Sequence, residues 1–169
     1  PRLWPMRDRF WERVPMARMT AEEWEALCDG CGKCCLNKLE DDETGEVALT
    51  RVACRLFDDT TCRCAQYEIR HHFVPECITL DTKNIERNLY WLPETCAYKL
   101  LWQGRPLFDW HPLVSGDAQT VHDAGVSMRH RAMNSIVCPS ASGFVARTRI
   151  SACGSRGSGM STSSFSVPS

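Results

Sequence analysis

Leu27-Cys28-Asp29-Gly30-Cys31-Gly32-Lys33-Cys34-Cys35-Leu36 places four thiols within eight residues, two of them adjacent. Thiols this crowded make poor disulfide staples and good metal ligands, because a cation offsets their mutual repulsion and lowers their pKa values. Cys28-x2-Cys31 is the spacing of a tetrahedral zinc knuckle. Cys28, Cys31 and Cys34 also repeat the first three ligands of a bacterial ferredoxin motif, but Cys35 follows at once where that motif leaves a gap. Adjacent side chains of an extended segment point in opposite directions, so Cys34 and Cys35 suit two centres, or one bridged cluster, better than one small tetrahedron. Gly30 and Gly32 let the backbone turn tightly around a ligand and aim amides at sulfur, and Lys33 either helps stabilise thiolates or is a solvated side chain.

Upstream, Thr20-Ala21-Glu22-Glu23 spells a capping box, with Met19 and Trp24 as its hydrophobic staple. The helix it opens carries Trp24 and Leu27 on one side and is expected to stop at Asp29-Gly30, with Cys28 closing its last turn. Downstream, residues 36–39 and 47–54 read as two strands joined by the acidic turn 40–45, to which no chemistry is assigned. Cys64, Tyr67 and His71 recur at helical spacing, and Val74-Pro75 ends that helix before Cys77. Ile85, Leu89 and Leu92 mark a helix capped by Asp81. Pro93 starts another, in which Cys96 and Leu100 share a face before Gly104 stops it. Trp102, Leu107, Phe108, Trp110 and Leu113 are read as packing over the cysteine region, and His71, His72, His111, His122 and His130 as solvated or structural side chains. The candidate metal ligands are therefore Cys28, Cys31, Cys34, Cys35, Cys54, Cys62, Cys64, Cys77 and Cys96, enough for two four-thiolate sites with one spare.

The chain has 11 cysteines in 169 residues, about 6.5%, below the roughly 8–10% of a disulfide scaffold. The odd count and the crowding favour metal over staples. With 20 basic and 21 acidic side chains, no bulk charge draws the protein to nucleic acid, and no apolar run is long enough to span a membrane. We expect a cytoplasmic α+β fold: a small, mainly helical single domain with a short β-hairpin beside a cysteine-rich metal-binding loop. Residues 1–19 form a basic N-terminal arm bearing Trp4, Phe10 and Trp11, and residues 20–133 the cysteine-cluster domain. Residues 134–169 are a Ser/Gly/Arg-rich tail, expected to be disordered or aberrant, whose Cys138 and Cys153 are excluded as ligands.

The run from Leu27 to Leu36 resembles the YcgN branch of the YkgJ-like CxxCxxCC family, described as zinc- or iron-chelating. So do residues 88–101, Trp110-His111-Pro112-Leu113 and Val126-Ser127-Met128-Arg129-His130. The resemblance spans roughly residues 10–133. It implies that the four clustered cysteines are the signature and that Cys54, Cys64, Tyr67 and Cys77 match the family's downstream pattern, with Cys62 and Cys96 particular to this branch. The expected cofactor is zinc or iron, the iron in an iron–sulfur cluster or not, and the expected partner is the metal ion. No glycine-rich nucleotide loop, nucleophile elbow or spaced carboxylate pair marks a reaction. Two readings stand beside chelation. One is an iron–sulfur redox or transfer enzyme, or an accessory to one. The other is thiol–disulfide exchange through Cys31-x2-Cys34, which lacks the strand–helix setting of a thioredoxin motif.

Overall fold

The computed structural model describes residues 6–134. Expectations for Trp4 in the arm, and for the tail with Cys138 and Cys153, lie outside the described residues. Thr20 opens α2 (Ala21–Ala26) with the expected capping box: its hydroxyl accepts from the Glu23 N–H, and the Glu23 carboxylate accepts from the Thr20 N–H. Arg7 donates to both Glu23 oxygens, at 2.8 and 2.5 Å. This ties the preceding segment to the helix and buries the carboxylate. Phe10, which opens α1 (Phe10–Arg13), then packs with Leu27, Ile85, Leu92, Tyr98 and Leu100 in the main core.

The Arg7 hydrogen bond, opposed by burial and helped by the backbone donors, lowers the Glu23 pKa from 4.5 to about 2. A depressed folded-state value means that the stabilisation is complete above pH 4.5 and is lost as pH falls toward about 2. Glu23→Gln should therefore be less stable than the parent near neutrality, and the gap between their urea midpoints should close in acid. Metal loss in acid affects both proteins, so the gap isolates Glu23. A gap constant with pH would rule out the linkage.

The first hairpin forms as its alternation predicts. β1 (Leu36–Glu40) pairs antiparallel with β2 (Val47–Ala53), with a bulge between Leu36 and Lys38. β5 (Met133–Asn134) adds in parallel to β2, giving the order β1-β2-β5. A second, two-residue hairpin joins β3 (Phe57–Asp58) to β4 (Arg63–Cys64). It corrects the helix expected through Cys64, Tyr67 and His71. Cys64 pairs with Phe57, and Ala65 N–H donates to the Leu56 carbonyl, so strand pairing takes the backbone groups a helix would have used. Only α3 (Arg70–Phe73) remains helical, ending at Val74 as expected.

The architecture is α+β, but only 32% of the described residues are helical, so the mainly helical expectation is not met. Apolar spacing finds the helical turns but overstates their length. α4 (Ile85–Asn88) passes into a 3-10 turn at Leu89–Trp91, and α6 (Pro112–Ser115) and α7 (Thr120–Asp123) have four residues each. Gly104, Gly116 and Gly125, at φ of 68, 75 and 67°, follow α5 (Ala97–Trp102), α6 and α7 and reverse the chain. A second, smaller core gathers Leu36, Ala53, Phe57, Cys62 and Met128.

Candidate metal centre

The last turn of α2 continues one hydrogen bond further, from Cys28 N–H to the Glu25 carbonyl, and presents Cys28. Asp29 then accepts the Cys31 N–H through Oδ1 at 2.9 Å, and Gly30 and Gly32 take φ of 74 and 75°. This is the tight loop that the two glycines promised. A 3-10 turn at Lys33–Cys35 delivers Cys34 and Cys35 to the start of β1. Cys54 N–H donates to the Cys35 carbonyl from the end of β2, β4 brings Cys64, and Cys77 N–H donates to the Val74 carbonyl beyond α3. Cys96 caps the N-terminus of α5.

Cys28, Cys34, Cys35, Cys54, Cys62, Cys64 and Cys77 line one cavity of about 410 Å³. Leu92 and Tyr98 of the main core and Leu36 and Phe57 of the smaller one line it too, so it lies between the two cores. Cys31 is buried and Cys96 half-buried, and neither lines the cavity. Among the described residues, no three Cys, His, Asp or Glu side chains are already gathered closely enough to hold a metal ion. The thiols thus share a chamber, and binding a cation requires their side chains to close in on it.

The electrostatics divide the thiols into two neighbourhoods. Burial, with the negative charge of Cys34, pushes Cys28 up to about 12. Burial likewise raises Cys31, with Asp29 and Cys34 adding to it. Cys96 is pushed up to about 12, chiefly by burial and then by Cys34 and Asp29. On the other side, Cys35 is raised by the adjacent Cys34 thiol, by burial, and by the charges of Cys34, Cys54 and Cys64. Burial raises Cys77, and Cys54 and Cys64 act on it as well. Cys34 is lowered, chiefly by the adjacent Cys35 thiol, and the Cys34–Cys35 pair is where the two neighbourhoods meet. Cys62 stands apart in the smaller core, with its Sγ donating to the Cys31 carbonyl at 3.3 Å.

The residues present fit a thiophilic cation. Raised pKa values show that the buried sulfurs want a positive charge beside them before they ionise. Asp29 Oδ2 is buried without a hydrogen-bond partner among the described residues, a costly state that a nearby cation would relieve. His111 has a structural role: it is 1% exposed, its Nε2 meets the Leu27 carbonyl at 3.2 Å, and its Nδ1 accepts the Leu113 N–H. His71 is exposed and bonded to Thr79.

Two expectations about the surroundings are met in part. Of the run from Trp102 to Leu113, Leu107 and Leu113 do pack in the core cluster that also takes Cys28 and Cys96, whereas Trp102 and Phe108 are exposed and none of the run lines the cavity; Trp24, Tyr67, Trp91 and Tyr98 do. Tyr67 gives its hydroxyl to Glu25, and Tyr98 gives its own to the Trp24 carbonyl. The lysine at the thiols is Lys38, not Lys33. Lys38 follows buried Leu36 by two positions on β1, the parity that puts both on one face of a strand.

Residues 27–97 match the family model CxxCxxCC, described as "Putative zinc- or iron-chelating domain". The chain is 61% identical over 124 residues to a UPF0260 protein of Rhodobacter capsulatus, covering 73% of this chain and 83% of that one. A UPF0260 protein of Rhizorhabdus wittichii is 61% identical over 120 residues, covering 71% and 82% of the two chains. One of Mesorhizobium japonicum is 56% identical over 126 residues, covering 75% and 84%. No solved structure matches the chain.

Proposed function

Because the chain belongs to the UPF0260 family and carries the CxxCxxCC domain, we propose that it chelates zinc or iron through two thiolate groups. Cys28, Cys31, Cys34 and Cys96 form the first, and Cys35, Cys54, Cys64 and Cys77 the second. Cys62 is the spare thiol. The observation that carries the reading is the convergence on one cavity of seven thiols from separate segments of the chain, six of them among the eight proposed ligands. Thiolate ligands suit zinc and iron and disfavour magnesium or calcium, which take oxygen. The motif and the segments at 88–101, 110–113 and 126–130 support placement in the YcgN branch. Reduced clustered thiols fit the cytoplasm. No described helix is long and apolar enough to cross a membrane.

A second reading, an iron–sulfur redox or transfer enzyme, is favoured by the cavity itself. At about 410 Å³ it lies in the size range of small-molecule sites, and Trp24, Tyr67, Trp91 and Tyr98 give it aromatic walls beyond the sulfurs. Metal analysis with a visible spectrum, on protein purified without oxygen, separates the two readings. Colourless protein with stoichiometric zinc supports chelation alone. Iron with sulfide and broad visible absorption moves the assignment toward electron transfer. Protein that takes up neither metal overturns both readings.

A further inference from the structure

Lys38 is 2% exposed and yet lines the cavity. Its ammonium donates to the Cys34 carbonyl at 3.0 Å and the Leu36 carbonyl at 2.9 Å, and stands 5.1 Å over the Trp91 ring. Two of its three donors are thereby spent on neutral carbonyls. Among the described residues, no carboxylate lies within ion-pair distance of it. The other cavity cations also reach thiols, Arg63 acting on Cys28 and Arg70 on Cys77, but Arg63 is exposed and Arg70 stacks over Tyr67 and bonds to Thr79, so Lys38 is the buried one.

A buried ammonium without a counter-charge is expensive, and a sequence keeps one where an anion answers it. Lys38 bonds to the Cys34 carbonyl and lines the same cavity as Cys28 and Cys34 of one thiol neighbourhood and Cys35, Cys54, Cys64 and Cys77 of the other, so it serves both. Four thiolates outnumber the charge of any divalent cation they hold, and a filled thiolate site is therefore an anion in a mostly apolar setting. We propose that Lys38 is the built-in counter-cation of the filled cage, a positioning residue that ligates nothing and sets how tightly the metal is held. The inference rests on the chelation reading. It also explains why β1 turns a lysine inward where alternation calls for an apolar side chain.

The test uses zinc alone as ligand, in competition with a chromophoric chelator, on the full chain and on Lys38→Gln and Lys38→Arg. Gln keeps a hydrogen-bond donor for the carbonyls and discards the charge; Arg keeps the charge. Lys38→Gln should bind zinc about 10- to 100-fold more weakly, the usual scale for outer-sphere partners of a metal site. Lys38→Arg should restore most of the loss. Cobalt(II) bound to either variant should show the parent's thiolate charge-transfer bands, since the ligands are unchanged. Equal zinc affinity in Lys38→Gln, or an Arg variant as weak as the Gln variant, overturns the counter-cation role while leaving chelation standing. Failure of the parent chain to bind zinc or cobalt overturns the chelation reading beneath it.

Discussion

Cys35→Ser is expected to remove one metal equivalent and leave a second, and Cys34→Ser to do the same with the loss on the other side. The two residues are adjacent and shift each other's pKa, but their further neighbours differ. Cys34 acts on Cys28, Cys31 and Cys96, whereas Cys35 feels Cys54 and Cys64. The double variant should bind no metal and should not hold its fold. Structural zinc sites contribute roughly 10–16 kcal/mol on binding, against about 5–15 kcal/mol for the total stability of a domain. Metal content by elemental analysis and thermal unfolding with and without chelator measure both effects. If either single variant loses all metal, the thiols form one cage. If the double variant retains metal, the ligands lie elsewhere.

Elements whose logic is local were legible in the sequence. The Thr20–Glu23 capping box needs only residues three apart, and the β1–β2 hairpin only an alternating pattern around a turn; both appear where the sequence puts them. The stretch from Cys64 to His71 departs from its helical spacing because a tight hairpin outcompetes it: Cys64 pairs with Phe57 only seven residues earlier, in strands of two residues each, too short for any alternation to announce. The cavity walls are hidden by a different limit, long-range packing. Trp91 and Tyr98 belong to segments read as core helices, and they face the thiols only because the main core folds against the smaller one. Lys38 was detectable in principle from its parity with Leu36. A charged residue on the inner face of a strand is discounted by pattern, and here the discounted residue is the informative one. The family motif supplied what spacing could not, the association of Cys54, Cys64 and Cys77 with the clustered four. Spacing leaves open how these thiols divide, and the two groups proposed above rest on their mutual charges.

Gly32→Ala tests whether the loop between Cys31 and Cys34 is held as tightly as its geometry indicates, and it should be among the most damaging conservative changes in the chain. A Cβ at Gly32 would meet Phe57 ring carbons at 2.6 and 2.7 Å and the Cys62 Sγ at 2.8 Å. None can retreat easily, since Phe57 and Cys62 are themselves 7% and 2% exposed in the smaller core. The backbone stands at φ 75°, where a non-glycine residue costs about 1–2 kcal/mol. Overpacking a filled site adds about 1–3 kcal/mol, for an expected loss of roughly 2–5 kcal/mol. Gly45 supplies the control: its φ is 70° but nothing stands within 4 Å of the added carbon, so Gly45→Ala carries only the backbone cost. Urea midpoints for the two variants, measured with metal bound, should differ by the overpacking contribution. The Gly32 variant should also lose metal more readily to a chelator, because relieving the clash displaces the turn that presents Cys34 and Cys35. Equal midpoints for the two would mean that Phe57 and Cys62 yield without cost, and that the loop is fixed by its ligands and not by the core behind it.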